Sequence, residues 1–240
     1  MNLVLQAIPS TIISEIIAHS NFEGVVLDTE HGLFNNSDLF NCIQVIQLSG
    51  KKCLVRVTNL DKKLVRLCLD TGVDGLIFST VENKKQGNEI IEYCHYPSKG
   101  GKRGQGIVRE NRWGNISFGK TTPIIIAQIE TKEGVKNIKQ IKSCGFDYFI
   151  LGPYDLSASL GCVAEWNNKI YLDYINKIYN NISKDKLGIF LPRENDITNF
   201  DSYDKFSILI IGIDTLIISE SLKKIYQLNE NNQSRNIGHR

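Results

Sequence analysis

The sequence has little net charge and no long apolar run, and both absences narrow the classes of protein it can belong to. Its 28 basic and 26 acidic residues leave a formal net charge of +2, without the charge excess that binds nucleic acid or a membrane surface. No stretch approaches the roughly 20 apolar residues of a membrane span. The N-terminal stretch lacks the basic region of a signal peptide and is interrupted by Pro9. We therefore expect a cytoplasmic protein with neither nucleic acid nor membrane as a partner.

Paired cysteines are also missing. The sequence contains six cysteines but no CxxC pair, the usual spacing of a zinc site or a redox motif. Most of them fall in apolar periodic stretches, where a free cysteine behaves as a small hydrophobic residue. We expect reduced core cysteines of a cytosolic protein, with zinc binding or disulfides as the lesser alternatives. The six are Cys42, Cys53, Cys68, Cys94, Cys144 and Cys162.

What the sequence does contain is an alternation of short apolar runs with longer amphipathic ones, which is typical of βα units around a parallel sheet. The eight strand candidates are "LVLQAI", "GVVLD", "CLVRV", "GLIF", "PIIIAQIE", "YFILG", "LGIFL" and "SILIIGI". The eight helix candidates lie near Thr11–His19, Ser37–Leu48, Lys62–Thr71, Lys84–Cys94, Glu133–Ser143, Asn168–Ile182, Asp196–Tyr203 and Thr215–Leu228.

Eight βα units in 240 residues predict a closed (β/α)8 barrel of the α/β class, a TIM barrel. An open Rossmann sheet would need GxGxxG directly after the first strand, and nothing like it follows "LVLQAI". We expect a single barrel domain over residues 1–228 and a polar C-terminal tail over residues 229–240.

The stretch "GNISFGKT" matches the nucleotide-binding P-loop pattern through Gly114, Gly119, Lys120 and Thr121. That pattern works when a strand leads into the loop and a helix leaves it, because the helix N-terminus and the loop amides cradle the phosphates. Here the order is reversed, since the apolar strand candidate follows the lysine and no strand precedes the first glycine. We therefore interpret the match as accidental and keep a nucleotide-binding protein as an unfavoured alternative.

Charged and polar side chains cluster where the predicted strands end, which is the face that carries the active site in such barrels. Because strand side chains alternate between faces, Gln128 and Glu130 share one side. Carboxylates at the ends of neighbouring strands could reach one cation and leave positions for water and substrate, as at an open Mg²⁺ or Mn²⁺ site. Taken singly, these acids could equally be helix caps or surface residues. The clustered residues are Asp28, Glu30, His31, Arg56, Gln128, Glu130 and Asp155.

Six blocks in this order and spacing resemble the HpcH/HpaI family of metal-dependent class II pyruvate aldolases, which includes 4-hydroxy-2-oxoheptanedioate and 2-dehydro-3-deoxyglucarate aldolases. The blocks are "LDTEHG", "VRV", "CLDTGVDGLI", "YPSKGGKRGQG", "AQIET" and "ILGPYDLSASLG". The resemblance covers almost the whole chain. It implies a (β/α)8 barrel that assembles into a homo-oligomer, either a hexamer or a trimer. The common form in the family is a hexamer in which neighbouring chains exchange their last helix.

The resemblance also implies roles for matching residues. Glu130 and Asp155 would bind the cofactor, a divalent cation such as Mg²⁺ or Mn²⁺, with Co²⁺ or Zn²⁺ as alternatives. Arg56 would bind the substrate. His31 would belong to the acid/base apparatus, and Asp28 would be a further site carboxylate.

Two more implied roles concern orientation and binding. Asp70 in "CLDTG" would orient the histidine of an adjacent subunit. Gln128, with the backbone of Gly152, Pro153, Tyr154 and Asp155, would contact the pyruvate part of a small 2-oxoacid substrate.

The chemistry of the residues supports this reading independently. A pyruvate aldolase stabilises an enolate through either a lysine Schiff base or a metal. No lysine occupies the C-terminal end of any predicted strand, so the metal route remains. We expect a lyase that reversibly cleaves a 4-hydroxy-2-oxoacid to pyruvate and an aldehyde through a metal-stabilised pyruvate enolate. A citryl-type lyase or an oxaloacetate decarboxylase of the same superfamily is the alternative, and a barrel that only binds a ligand is a further one.

Overall fold

The computed structural model describes residues 1–58, 60–117, 119, 122–198 and 203–237, with side chains up to Glu230 except those of residues 198 and 203. Eight parallel strands close into a barrel in sequence order, with β8 beside β1. The strands are β1 Asn2–Gln6, β2 Gly24–Asp28, β3 Lys52–Thr58, β4 Gly75–Ser79, β5 Ile124–Ile129, β6 Tyr148–Leu151, β7 Leu187–Leu191 and β8 Ile208–Ile213. The predicted single-domain (β/α)8 barrel is confirmed, and each strand lies where the apolar runs placed it.

Helices connect the strands around the outside of the barrel. They are α1 Thr11–Ala18, α2 Asn36–Leu48, α3 Lys62–Thr71, α4 Lys84–Cys94, α5 Lys132–Lys136, α6 Ile138–Lys142, α7 Pro153–Ser159, α8 Lys169–Asn181, α9 Glu194–Thr198 and α10 Asp214–Ile237. Side-chain caps fix several helix starts. Asn35 accepts from two backbone N–H groups of α2, and Asp61 does the same for α3.

Two of the internal helix predictions differ from the structure, and one helix was missed. The helix predicted over Glu133–Ser143 is divided into α5 and α6 at Asn137, whose ψ of 8° leaves the helical range. Of the helix predicted over Asp196–Tyr203, the described part is the short α9, which begins two residues earlier at Glu194; residues 199–202 lie outside the described part of the chain. The short helix α7 was missed because it follows β6 directly and is too brief for a periodic signal.

The last helix begins near the predicted residue and continues beyond Leu228 to Ile237. Most of the segment predicted as a tail is therefore helical. The division of the chain at residue 228 itself stays a prediction.

The strands carry apolar side chains on both faces. One set fills the barrel interior and includes Leu54, Ile77, Ile126 and Ile150. A second, larger set lies between the strands and the helices. Because side chains alternate along a strand, the residues two positions after the interior set also face inward, one layer closer to the C-terminal mouth.

The P-loop pattern lies in a segment that lacks the required structure. Residues Arg109–Gly114 form a 3-10 turn, and β5 follows at Ile124, so no strand leads directly into Gly114. Lys120 and Thr121 lie outside the described residues. The expected inversion of strand and loop is confirmed.

All six cysteines are free, and five are buried while Cys144 is partly exposed. Their predicted place in the core is thus confirmed for five. Among the described residues, no helix is both long and apolar enough to cross a membrane.

Candidate active site

Polar side chains replace apolar ones in the inward layer nearest the C-terminal mouth of the barrel. Asp28 follows the interior residue Val26 by two positions, Arg56 follows Leu54, and Gln128 follows Ile126. These polar residues are buried. The same alternating strands therefore contribute an apolar layer in the barrel interior and a polar, charged layer next to it on the side of the C-terminal mouth.

Arg56 and Asp28 form a buried, two-pronged ion pair. The strand register places the two residues directly opposite each other on β3 and β2. Arg56 Nε donates to Asp28 Oδ1 at 2.8 Å, and Nη2 donates to Oδ2 at 2.7 Å. The remaining nitrogen, Nη1, lies 3.3 Å from Glu30 Oε2.

Burial opposes the charge on Arg56, but the bonds to Asp28 and the charges of Glu30 and Glu130 outweigh it and raise the pKa of the guanidinium. Arg56 is therefore a fixed positive charge in a layer of carboxylates. Its orientation is set before any ligand arrives.

Glu130 lies just after β5 and is 5% exposed. Its Oε1 accepts two hydrogen bonds from Thr80, from the backbone N–H at 2.6 Å and from the hydroxyl at 2.8 Å. Its Oε2 accepts a hydrogen bond from the side-chain amide of Gln128. Both carboxylate oxygens are thus held in place by neutral donors.

Burial raises the pKa of Glu130, and the negative charges of Glu30 and Asp155 add to that rise, against hydrogen bonds from Thr80 that lower it. A buried carboxylate beside two further carboxylates is unfavourable in its charged form. A cation among them would relieve that repulsion.

Gly152 allows the chain to pass close to Glu130. A Cβ at this position would lie 2.8 Å from Glu130 Cβ and 2.9 Å from Glu130 Oε2, closer than side chains approach in proteins. Asp155 follows as the third residue of α7, on an exposed position of the first turn. The close approach of β6 to β5 thus brings the two predicted metal ligands to the same side of the mouth.

The backbone predicted to contact substrate offers fewer donors than four residues suggest. The Gly152 N–H is used in the sheet, where it donates to Ile129 O at 3.2 Å, and Pro153 has no N–H. The N–H groups of Tyr154 and Asp155 lie in the first turn of α7, which helices leave without intrahelical partners.

The side chain of Tyr154 does not join the carboxylates. Its hydroxyl donates to Asp196 Oδ1 at 2.8 Å, and its ring packs against Trp166. Burial, followed by the contact with Asp196, raises the pKa of Tyr154 to about 12.

His31 stands at the rim of the site and is 72% exposed. Its Nε2 lies 4.0 Å from Glu30 Oε2. Within the four residues "DTEH", Asp28 therefore lies in the barrel interior, Glu30 contacts Arg56, and His31 lies at the surface.

Asp70 is not brought to this site within one chain. It lies at the C-terminal end of α3, and helices of a (β/α)8 barrel run back from the mouth toward the N-terminal ends of the strands. Asp70 Oδ1 accepts from Arg103 Nη2 at 3.2 Å, and the Arg103 guanidinium lies 4.3 Å from the centre of the Tyr96 ring. The role implied for Asp70 thus needs a second copy of the chain.

Two residues of the site received no role from the sequence. Glu30 contacts Arg56 and lies near His31, and Thr80 holds Glu130. Glu30 carries a signal, because it lies inside the "DTEH" block. Thr80 carries almost none, since it stands outside every quoted block and acts through a turn conformation that the sequence does not display.

The residues present fit a divalent cation. The site would have two protein carboxylates as ligands, since among the described residues no group of three or more His, Cys, Asp or Glu side chains is arranged to hold a metal. A cation near Glu130 and Asp155 would therefore rely on few protein ligands and keep positions for water or substrate oxygens. The raised pKa of the buried Glu130 and its two acidic neighbours match that need.

These features first define a class, a (β/α)8-barrel enzyme with an acidic site and one buried arginine at its C-terminal mouth. Residues 7–215 match the family model described as HpcH/HpaI aldolase/citrate lyase, and the chain belongs to that family. It is accordingly a lyase.

The chain is 26% identical to the 2-keto-3-deoxy-L-rhamnonate aldolase of Salmonella gallinarum over 221 residues, which cover 89% of this chain and 82% of that one. Two solved structures have the same fold. A HpcH/HpaI aldolase/citrate lyase family protein from Burkholderia cenocepacia has a TM-score of 0.85 at 20% identity, covering 96% of this chain and 94% of that one. The HpcH/HpaI aldolase of Desulfitobacterium hafniense has a TM-score of 0.85 at 21% identity, covering 95% and 92%.

Proposed function

We propose that the protein reversibly cleaves a 4-hydroxy-2-oxoacid into pyruvate and an aldehyde, with a divalent cation held by Glu130 and Asp155. The observation that carries this proposal is the buried Glu130 carboxylate, which lies with Glu30 and Asp155 beside the fixed charge of Arg56. When bound, the cation supplies positive charge that stabilises the enolate of the ketoacid.

Arg56 binds and orients the ketoacid. Asp28 occupies Nε and Nη2, so Nη1 is the nitrogen that faces the remaining carboxylates and is best placed for a substrate oxygen. A substrate oxygen would compete there with Glu30, whose side chain is partly exposed. Because the guanidinium is already oriented, its charge stabilises negative charge on the substrate without rearrangement.

His31 moves the proton of the aldol hydroxyl. Its exposed ring beside Glu30 can hold a proton at Nε2 and pass it to water or substrate at the rim. The backbone amides of Tyr154 and Asp155 offer further hydrogen bonds to the substrate carboxylate. Gln128, whose side-chain amide also donates to Glu130, contacts the pyruvate part of the substrate.

The active form is a homo-oligomer, a hexamer or a trimer. Helix α10 exposes a run of large apolar side chains that a second copy would cover. A neighbouring chain would also bring Asp70 toward His31, which one chain does not do. The exposed apolar residues are Ile217, Ile218, Leu222, Ile225, Tyr226 and Leu228.

One measurement tests the assembly. Light scattering on the purified protein should give a mass of three or six chains, and a monomer that is fully active would contradict the role given to a second copy. The six free cysteines fit a reducing compartment, and we propose the cytoplasm.

The substrate class is tested by a panel of 4-hydroxy-2-oxoacids, including 2-keto-3-deoxy-L-rhamnonate, the compound in the name of the Salmonella relative. We expect pyruvate release that requires Mg²⁺ or Mn²⁺ and stops when EDTA removes the metal. Glu130→Gln is the site variant. Glu133→Gln, an exposed change near the start of α5, is the matched control and should keep activity.

Pyruvate release that survives EDTA and Glu130→Gln alike would contradict the proposal. Release of pyruvate only from oxaloacetate or a citryl compound would favour the decarboxylase or citryl-lyase alternative instead.

A further inference from the structure

Thr80, directly after β4, has an unusual backbone. Its φ of 54° lies in the left-handed region, which β-branched residues rarely adopt. Among the described residues, the other non-glycine positions with positive φ are Arg112, Trp113 and Ala164, none of them β-branched. Strain of this kind persists only where surrounding contacts hold it, and it concentrates at functional sites.

The contacts that hold this turn are present. The Thr80 carbonyl accepts from the Gln86 side-chain amide at 3.0 Å. The oxygen of the same amide accepts from Glu82 N–H at 2.9 Å, and Val81 N–H donates to Gln128 O at 3.3 Å. The turn is thus tied both to its own helix α4 and to strand β5.

In this conformation the two donors of Thr80 converge on one oxygen. The N–H and the hydroxyl both bind Glu130 Oε1, at 2.6 and 2.8 Å. An ionised carboxylate offers about two acceptor positions on each oxygen. Thr80 therefore occupies Oε1 fully, whereas Oε2 accepts from Gln128 and keeps a free acceptor position.

We propose that Thr80 is a positioning residue that fixes the Glu130 carboxylate with Oε2 presented to a divalent cation, and so sets the cation affinity of the site. This inference rests on the proposed function, because it takes Glu130 as a metal ligand. The hydroxyl contributes in addition to the backbone N–H, because the two hydrogen bonds together restrict rotation of the Glu130 carboxylate about its Cγ–Cδ bond. Groups that orient metal ligands typically contribute about 10- to 100-fold in affinity.

The test measures Mn²⁺ binding by electron paramagnetic resonance, which needs no turnover. Thr80→Val removes the hydroxyl and keeps the shape, Thr80→Ala removes it with less bulk, and Thr80→Ser keeps it. We expect the Val and Ala variants to bind Mn²⁺ at least about tenfold more weakly, and the Ser variant to keep wild-type affinity. The exposed Thr58, at the end of β3, supplies the matched control Thr58→Val, which should bind normally.

The variant Thr80→Gly distinguishes the effect of losing the hydroxyl from the effect of the strained backbone. Glycine adopts positive φ readily, so this variant should melt no lower than Thr80→Ala and still bind Mn²⁺ as weakly. If Thr80→Val does not fold, the Ala, Gly and Ser variants decide the question.

The outcomes separate this inference from the proposed function. Tight Mn²⁺ binding in the wild type that the Ala and Gly variants retain would overturn the role of Thr80 and leave the metal site standing. If the wild type itself binds no Mn²⁺, or if Glu130→Gln binds it unchanged, the metal site fails and the inference fails with it. Weak binding in Thr80→Ser would also contradict the role of the hydroxyl.

Discussion

Replacing Asp28 by asparagine should destabilise the protein because the buried charge of Arg56 loses its partner, and not because packing is lost. The substitution keeps the size of the side chain but removes the charge that faces Arg56 through bonds of 2.8 and 2.7 Å. Asp28 is fully buried and Arg56 is 5% exposed, so water cannot replace the lost partner. What remains near the guanidinium is Glu30, 3.3 Å from Nη1.

The expected size follows from this geometry. Removing one partner of a buried ion pair costs about 3–5 kcal/mol, and Coulomb's law with an effective dielectric of about 20 gives about 4 kcal/mol at 4 Å. Because Glu30 still contacts Arg56, we expect the low end, about 3 kcal/mol. For a chain of this length that corresponds to a fall in Tm of about 6–12 °C.

The assay is thermal unfolding followed by circular dichroism, with an exposed pair as control. Glu92→Gln breaks the pair between Glu92 and Lys102, whose side chains are 42% and 71% exposed, and it should change stability by no more than about 1 kcal/mol. Replacing Asp28 and Arg56 together by leucine and methionine should cost less than the sum of the two single changes. An Asp28→Asn protein as stable as the wild type would refute the reasoning.

Three further outcomes are expected. Gly152→Ala should abolish activity and weaken Mn²⁺ binding in a folded protein, because its Cβ would meet Glu130 at 2.8 Å; an active variant would contradict the close approach. Burial raises the pKa of Tyr154 from 10.0 to about 12, so its contribution to stability is complete below pH 10 and is lost as the pH rises through about 12. Tyr154→Phe should therefore reduce the alkaline loss of stability, measured by urea unfolding, and an unchanged profile would refute this. ATP with Mg²⁺ should give no specific heat in calorimetry, and binding abolished by Lys120→Ala would restore the P-loop reading.

The part of the site that lies on strands was predictable from the sequence. Alternation along a strand has a fixed period of two, so Arg56 and Gln128 had to share the inward face with the apolar residues two positions before them. The (β/α)8 order then placed all strand ends at one mouth. The fold was predictable for the same reason, since each strand is a dense apolar run bounded by polar residues.

The parts that depend on turns were not predictable. The contact of Thr80 with Glu130 needs a left-handed backbone at a threonine, which local preference argues against. The place of Asp70 depends on contacts with Arg103 that span 33 residues of sequence. Helix α10 was placed correctly at its start but ended too early, because the polar composition of the last residues suggests a tail.

The central claim is that Arg56, together with a cation bound by Glu130 and Asp155, stabilises the enolate of pyruvate. Deuterium uptake into the pyruvate methyl group tests this claim most directly. This exchange needs enolate formation but no aldehyde, and proton NMR follows it in deuterated buffer with Mn²⁺ removed before the spectrum is recorded. We predict metal-dependent exchange in the wild type, loss of both exchange and cleavage in Arg56→Ala, and a loss of cleavage greater than the loss of exchange in His31→Ala. Rapid exchange in Arg56→Ala, or exchange in the wild type that persists in EDTA, would contradict the account.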